Sequence, residues 1–205
     1  MNVPTALFLF VTRGKPLDSI SPVRPPASVL CRSALASITL QFIVHFWAIR
    51  LASQVSVSFV DPYDPSMIPD GTFNPNTLNT SAFLMNLLAT VNTFAANYRG
   101  EPFVEPLRQN KMLLRSLQAC YAVLFCCALE LFPPLSDLLQ LSEYPSIESD
   151  DAQEWQEGSL ETDRLLSLAN GVVSSFGFPT FICGLMVVDT LLTFTVEKCI
   201  RTFVL

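Results

Sequence analysis

Apolar residues along this chain are collected into long stretches that carry almost no charge. A helix needs about 20 mostly apolar residues to cross the hydrocarbon core of a bilayer. Four stretches approach this length, and they lie near residues 33–49, 78–98, 116–132 and 176–197. A soluble bundle would show a polar, charged stripe at the helical period, and residues 38–49 and 176–188 contain no Asp, Glu, Lys or Arg. The pattern therefore predicts membrane-spanning helices.

The predicted fold class is an all-α, polytopic membrane protein with about four transmembrane helices and two lumenal loops. Helices are expected because each one satisfies its own backbone hydrogen bonds in lipid. The predicted segments are a truncated end of a membrane helix at 1–12, a cytosolic loop at 13–27, a membrane helix at 28–50, a lumenal loop at 51–77, a membrane helix at 78–98, a cytosolic loop at 99–112, a membrane helix at 113–132, an acidic lumenal loop at 133–175, a membrane helix at 176–197 and a cytosolic tail at 198–205.

Basic residues divide unequally between the two faces that four spans would create. One face has two, Arg50 and Arg164, and the face with both termini has ten: Arg13, Lys15, Arg24, Arg32, Arg99, Arg108, Lys111, Arg115, Lys198 and Arg201. Lys and Arg are enriched in cytosolic loops, so both termini are predicted to be cytosolic. The net charge of −6 excludes nucleic acid as an expected partner, because phosphate binding needs a basic patch. The expected partner is the lipid bilayer.

The sequence shows no catalytic, cofactor-binding or metal-binding constellation. The six cysteines lie in or beside the predicted spans, whereas a disulfide framework would place them in the lumenal loops. His45 is the single histidine, and one histidine alone builds neither a histidine-rich zinc site nor a Ser-His-Asp triad. No glycine-rich nucleotide-binding motif occurs. The six cysteines are therefore predicted to be small buried hydrophobes, and His45 a packed residue that hydrogen-bonds across helices.

Asp189 lies well inside the last predicted span, where a charge is costly and usually faces the bundle interior or a wet cavity. Two interpretations stay open: a functional polar site, or a structural Asp that locks helices together. Asn86 and Asn92 in the second span are candidate partners, and His45 completes the candidate intramembrane polar site.

Asn79-Thr80-Ser81 is a sequon for N-glycosylation on the predicted lumenal side.

Several short motifs have the order and spacing of a known family. They are residues 8–17 (FLFVTRGKPL), 23–26 (VRPP), 41–46 (QFIVHF) and 93–105 (TFAANYRGEPFVE), and Asp189 with Glu197-Lys198 eight residues on. Together they resemble the C-terminal membrane region of the type V, subfamily A, P-type ATPases. These are the endoplasmic-reticulum transmembrane-helix dislocases, formerly described as cation or manganese pumps. The resemblance covers nearly the whole chain, and the acidic stretch 146–163 looks like an insertion.

The resemblance implies that residues 1–12 end the sixth core membrane helix, in a chain that is a fragment of a longer protein. The four spans are then the last four core helices, which form a support bundle in the endoplasmic reticulum. The family uses ATP and Mg²⁺, through an aspartyl-phosphate, to move mis-inserted helices out of the membrane. Its catalytic motifs Asp-Lys-Thr-Gly-Thr, Thr-Gly-Glu-Ser and Gly-Asp-Gly-x-Asn-Asp do not occur in these 205 residues. The chain alone is expected to bind no cofactor and to hydrolyse no ATP.

Three functions stay open at the level of sequence. The first is the support bundle of an ATP-driven P-type transporter, with the rest of the ATPase or other membrane helices as its partner. The second is a standalone four-span membrane scaffold or interaction protein with no enzymatic activity. The third is an ion-binding or ion-conducting bundle centred on Asp189. The residues do not distinguish a membrane helix from a cation as the transported substrate.

Overall fold

The computed structural model describes residues 14–19, 28, 31–61, 64, 68, 70–72, 74–98, 100, 104–145 and 164–203. Its helices in this part are α1 (Arg32–Val57), α2 (Thr77–Asn97), α3 (Lys111–Ala128), α4 (Pro133–Leu138), α5 (Arg164–Phe176) and α6 (Phe178–Phe203). Within these residues there is no strand, only an isolated antiparallel bridge between Pro16 and Val104. The all-α fold class is confirmed. The predicted helix end at 1–12 and the acidic stretch 146–163 lie outside the described residues.

Among the described residues, three helices are long and apolar enough to cross a membrane: Arg32–Val57, Lys111–Ala128 and Phe178–Thr202. The chain is accordingly an integral membrane protein. At the predicted span 78–98 the structure has α2, which is 21 residues long. Asn, Ser and Thr make up nine of its residues and lower its mean hydropathy, so length and composition alone do not mark it as a span. A fourth span therefore stays a prediction.

The helix boundaries differ from those predicted. α1 continues to Val57, beyond the predicted end at 50, so Arg50 lies inside a helix rather than next to a loop. α6 continues to Phe203, and most of the predicted tail 198–205 is helical. Once a helix is nucleated, each further residue adds a backbone hydrogen bond, so helices run past the apolar stretch that predicts them. The predicted acidic loop 133–175 contains α4 and nearly all of α5.

Two glycines determine where the chain can turn. Gly177 separates α5 from α6 with φ of 85°, a left-handed conformation that glycine adopts without steric cost. Its amide donates to the carbonyl of Val173 at 2.9 Å, which closes the last turn of α5. At Gly100, a Cβ atom would be 2.3 Å from the backbone oxygen of Glu105. No side chain fits that approach, so this position requires glycine.

The chain divides into two compact units. Unit 1 consists of Met1–Val44, Leu87–Val123 and Asp189–Leu205, and unit 2 consists of His45–Asn86 and Leu124–Val188. In unit 1 the buried apolar residues include Leu88, Val91, Leu113, Leu117 and Ile200. In unit 2 they include Leu84, Met85, Leu124, Phe178, Ile182 and Met186. Each of the long helices α1, α2, α3 and α6 contributes one segment to each unit.

In the first half of α1 the outer surface is mostly apolar and the buried face is polar. Ser33, Ser37, Gln41 and His45 recur every four residues and are all buried. Large apolar side chains on the same helix are exposed: Leu35, Ile38, Leu40, Phe42, Ile43, Phe46 and Trp47. In water such an arrangement would be inverted, because burial of apolar surface drives folding. In lipid it is expected, since helices associate through packing and interhelical hydrogen bonds.

Candidate functional site

A buried group of polar side chains, here the Asp189 cluster, joins three helices in unit 1. It consists of Asn92 on α2, Tyr121 on α3, and Asp189 and Thr190 on α6. The Nδ2 atom of Asn92 donates to Oδ2 of Asp189 at 2.8 Å and to Oγ1 of Thr190 at 3.1 Å. The hydroxyl of Tyr121 donates to Oδ1 of Asn92 at 2.6 Å. Both ends of the Asn92 amide are therefore used.

The chemistry of the Asp189 cluster is that of an interhelical tie. Asp189 is almost fully buried and Asn92 completely so, and a buried polar group is costly unless it is hydrogen-bonded. A hydrogen bond of this kind between membrane helices contributes on average about 0.6 kcal/mol. The geometry supports the structural interpretation of Asp189, while a functional role for the site stays a prediction.

A second group of polar side chains, here the Glu197 cluster, joins α1, α2 and α6 in unit 1, and its residues Ser37, Gln41 and Glu197 are buried. It consists of Ser37, Gln41, Asn97, Glu197 and Arg201. The hydroxyl of Ser37 donates to Oε2 of Glu197, and Nε2 of Gln41 approaches the same oxygen at 3.3 Å. Gln41 and Asn97 exchange a reciprocal pair of amide hydrogen bonds, Nε2 to Oδ1 at 3.0 Å and Nδ2 to Oε1 at 2.9 Å. The carboxylate of Glu197 is thus held by side chains from a neighbouring helix.

Arg201 connects the Glu197 cluster to the end of α2. Its Nε atom donates to Oε1 of Glu197 at 2.9 Å, and its Nη2 atom donates to the carbonyl of Ala96 at 2.8 Å. The last four carbonyls of a helix lack partners within the helix, and a cation there also opposes the negative end of the helix dipole. The Glu197 side chain is 4% exposed and that of Arg201 is 43% exposed. A half-exposed guanidinium therefore compensates a buried carboxylate.

The buried face of α6 connects the two clusters at four-residue spacing. Asp189, Thr193, Glu197 and Arg201 follow one another on this face, because residues four apart are neighbours on a helix surface. Thr193 is completely buried, and its hydroxyl has no hydrogen-bond partner in the part of the chain that the structure describes. Polar side chains thus extend along more than three turns on the buried face of α6.

The structure brings together only part of the predicted polar site. Asn92 contacts Asp189 directly. His45 is buried on the polar stripe of α1, and Asn86 is exposed on α2. Both belong to unit 2 and neither is a member of the Asp189 cluster as defined above. Their roles as site residues stay predictions.

Sequence reasoning missed the Glu197 cluster almost entirely. Glu197 was noted only as part of a family motif, and Ser37 and Asn97 were not considered as site residues. Tyr121 of the Asp189 cluster was missed as well. The sequence does contain a signal, because Ser33, Ser37, Gln41 and His45 are spaced four residues apart. A search for charged stripes does not detect it, since none of these side chains is Asp, Glu, Lys or Arg. Small polar side chains on one face of an apolar helix mark its protein-facing side.

The sequon at Asn79 lies in the first turn of α2. Asn79 is exposed, but Thr80 and Ser81 are buried. The hydroxyl oxygen of Thr80 accepts a hydrogen bond from the amide of Ser142 at 2.9 Å. Glycosylation needs a surface-accessible sequon, so the burial of Ser81 argues against modification after folding. Glycosylation of Asn79 stays a prediction.

Metal chemistry finds no support in the described residues. They contain no group of three or more His, Cys, Asp or Glu side chains that could hold a metal ion. The six cysteines are free thiols, but only Cys127 is buried and Cys199 is exposed, so the prediction that all six are buried is wrong. Neither cluster therefore fits Mg²⁺, which prefers near-octahedral oxygen coordination, and no step is assigned to ATP or Mg²⁺ on these residues.

Comparison with known proteins finds similar sequences in membrane translocases and a transporting ATPase. No family model matches the chain. It is 34% identical over 133 residues, 65% of its length, to the endoplasmic reticulum transmembrane helix translocase of Saccharomyces cerevisiae. The translocase of Schizosaccharomyces pombe is 34% identical over 134 residues. A probable manganese-transporting ATPase of Arabidopsis thaliana is 34% identical over 142 residues, 68% of the chain.

These matches confirm the resemblance that the sequence motifs predict. Each match covers only a small part of the relative: 11% of each of the two yeast proteins and 12% of the plant protein. The chain therefore corresponds to a short part of much longer proteins.

Proposed function

We propose that this chain, which is homologous to part of the type V, subfamily A, P-type ATPases, forms the C-terminal transmembrane support bundle of an ATP-driven transporter. The observation that carries the proposal is the 34% identity over 133 residues to the Saccharomyces cerevisiae helix translocase. The transported species would be a membrane helix, as in the yeast relatives, or a cation, as in the name of the plant relative. ATP and Mg²⁺ would act in parts of the transporter outside this chain.

The buried clusters support a bundle that holds its helices in fixed register. The Asp189 cluster links α2, α3 and α6, and the Glu197 cluster links α1, α2 and α6. Each cluster pairs donors with acceptors, and lipid offers these groups no alternative hydrogen-bond partner. The role of these residues is to position helices, and the transport chemistry belongs to the rest of the longer protein.

The outer face of α2 supports further membrane helices as the partner. Asn86 and Thr93 lie seven residues apart, about two turns, and both are exposed. Polar side chains on a membrane helix favour contact with protein over contact with lipid, and they commonly hydrogen-bond across helices. We therefore place α2 as the fourth span, with helices from the rest of the ATPase packed against this face.

In the proposed topology the protein lies in the endoplasmic reticulum membrane, and both of its termini face the cytosol. The ten-to-two division of basic residues supports this orientation. It can be tested in sealed microsomes with a membrane-impermeant maleimide, using peptide mapping to identify labelled sites. Cys199, exposed near the end of α6, should react without permeabilisation. The cysteine introduced by Asp137→Cys, at an exposed position of α4, should react only afterwards. The opposite pattern would overturn the orientation.

The transporter role can be tested by replacing the matching segment of the Saccharomyces cerevisiae translocase with this chain. A working support bundle should leave ATP hydrolysis of the purified chimera within about threefold of the parent, less than 1 kcal/mol in the activation barrier. The control is the same chimera carrying Leu88→Pro, which breaks α2 at a fully buried position and should abolish activity. A chimera that inserts and folds but hydrolyses no ATP would contradict the proposal and favour a standalone membrane scaffold.

A further inference from the structure

Helix α5 stands at the junction between a loop and a membrane helix. It has 13 residues, too few for a span, which takes about 20. It ends at Phe176, and α6 begins at Phe178, the first residue of a helix long and apolar enough to cross a membrane. Gly177 turns the chain between them with φ of 85°. One end of α5 is therefore fixed at the edge of the bilayer that α6 enters.

The surface of α5 is divided into three sectors, which follow from the 100° rotation per residue in a helix. One sector faces protein: Ala169 is buried, and Leu166 and Val173 beside it are partly buried. A second sector is polar and comprises Ser167, Asn170, Ser174 and Ser175. The third sector is apolar and exposed, and consists of Leu165, Leu168, Val172 and Phe176. These four residues are here called the apolar stripe of α5.

The apolar stripe is exposed to an unusual degree for a helix packed on a protein. Leu168 is 67% exposed and Phe176 is 69% exposed. The stripe lies between the protein-facing sector and the polar sector. In a helix that lies in a membrane surface, the apolar sector faces lipid. Such helices bury their apolar face about 5–10 Å into the boundary between headgroups and acyl chains.

We propose that α5 is an interfacial helix whose apolar stripe inserts into the bilayer that α6 crosses. The occupant of this surface is lipid, because the stripe ends at Phe176, two residues before the start of a helix that is long and apolar enough to cross a membrane. Attraction to anionic lipid does not contribute, since the sixteen residues before Arg164 include seven acidic ones and no basic one. Insertion depends on apolar area and takes place in phosphatidylcholine. The inference needs α6 to span the membrane but does not depend on the transporter role.

The depth of the stripe can be measured by tryptophan fluorescence in the full chain. Trp47 and Trp155, the two native tryptophans, are replaced by Phe, and Leu168→Trp supplies the probe. The protein is reconstituted in phosphatidylcholine vesicles with bromine either near the headgroup end of the acyl chain or near its terminus. At a depth of about 5–10 Å, the shallow bromines should quench at least about twice as strongly as the deep ones. Aqueous iodide should quench little.

Ser174→Trp is the matched control, because Ser174 lies in the polar sector of the same helix. Its fluorescence should respond to iodide and resist both bromolipids. If Leu168→Trp fails to fold, Val172→Trp places the probe on the same stripe one turn later. Quenching of the stripe by iodide would show that it faces water and overturn the proposal. Protection from iodide and from both bromolipids would mean that protein covers the stripe, which equally overturns it.

Discussion

The two compact units of this chain hold their helices together by different chemistry. Unit 1 contains the Asp189 and Glu197 clusters, in which side-chain hydrogen bonds join helix to helix. Unit 2 is centred on Phe178, which is 1% exposed. Its ring lies 5.5 Å from that of Phe59, 4.9 Å from that of Tyr144 and 5.9 Å from that of Phe181. These centroid distances lie in the range of favourable aromatic pairs.

Unit 2 also fixes a segment outside the long helices. The amide of Tyr144 donates to Oε1 of Glu130 at 2.7 Å, and Glu130 occupies a left-handed conformation with φ of 53° at the end of α3. Glycine is usual at that position, and the contact with Tyr144 accounts for a glutamate there. Glu130 thus anchors the start of the predicted acidic loop 133–175.

The difference shows what each kind of contact supplies in a membrane protein. Lipid solvates apolar helices as well as other helices do, so apolar contact between them gains little from the hydrophobic effect. Aromatic packing in unit 2 adds shape-specific contact, and hydrogen bonds in unit 1 add directional contact. Four substitutions test this comparison, with free energies of unfolding measured for the reconstituted protein by titration with a denaturing detergent.

The largest effect is expected for Phe178→Ala. It removes a fully buried ring and three aromatic contacts, and should lower the free energy of unfolding by about 3 kcal/mol, at the low end for such a truncation. The control is Phe194→Ala on the same helix, which is exposed and should change stability by less than about 0.5 kcal/mol. Equal effects of the two would show that unit 2 is not organised around Phe178.

Arg201→Met should rank second. It leaves the buried Glu197 carboxylate without its cation, and breaking a buried pair costs about 3–5 kcal/mol. Because Arg201 is half exposed and water can take its place, about 2 kcal/mol is expected. Adding Glu197→Gln should recover most of this loss. Lys198→Met, at the exposed neighbouring position, is the control, and a double variant no more stable than Arg201→Met would contradict the ion-pair interpretation.

Tyr144→Phe should stabilise the protein by about 1 kcal/mol at neutral pH. The Tyr144 hydroxyl is buried and has no hydrogen-bond partner among the described residues, and such burial is costly. Tyr98→Phe is the matched control, since its hydroxyl donates to the carbonyl of Glu105 at 3.0 Å, and it should destabilise. Loss of stability on Tyr144→Phe would mean that the hydroxyl is satisfied in the folded protein.

The same residue gives a pH dependence. Burial, and then the nearby Glu130, raise the pKa of Tyr144 above its ordinary value. The unfolded chain therefore loses this proton first, so the contribution is fully present below about pH 10 and is lost as the pH rises towards the folded value. Unfolding titrations above pH 10 should show a smaller loss of stability for Tyr144→Phe than for the native chain. Equal losses of stability in the two proteins would show that Tyr144 is not the source of the pH dependence.

The smallest effect is expected for Asp189→Asn. An Asn side chain has the same shape, and its carbonyl oxygen can still accept from Asn92, so the change should stay within about 0.6 kcal/mol. Asp189→Leu removes the acceptor and should cost about 1–3 kcal/mol. In the chimeric translocase, unchanged transport by Asp189→Asn would also remove the ion-conducting bundle from consideration. A large loss of transport with stability intact would instead favour the functional site.

The helices themselves were predictable because their cause is local. The long apolar stretches at 33–49 and 176–197, the second of which contains only Asp189 and Glu197 as charged residues, predict α1 and α6. Asn92 was one of the two partners that the sequence suggested for Asp189. Boundaries were less predictable, since Val57 and Phe203 end helices that continue past the apolar stretch.

The sequence by itself determined that this is an all-α membrane protein and which longer proteins it resembles. Hydropathy and the motifs around residues 41–46 and 93–105 are properties of neighbouring residues, so they can be read without a structure. Only the tertiary structure decided which polar side chains meet. Ser37 and Glu197 are 160 residues apart in the chain, and their contact depends on how whole helices pack. Small differences in packing free energy decide that arrangement, and no local pattern records them.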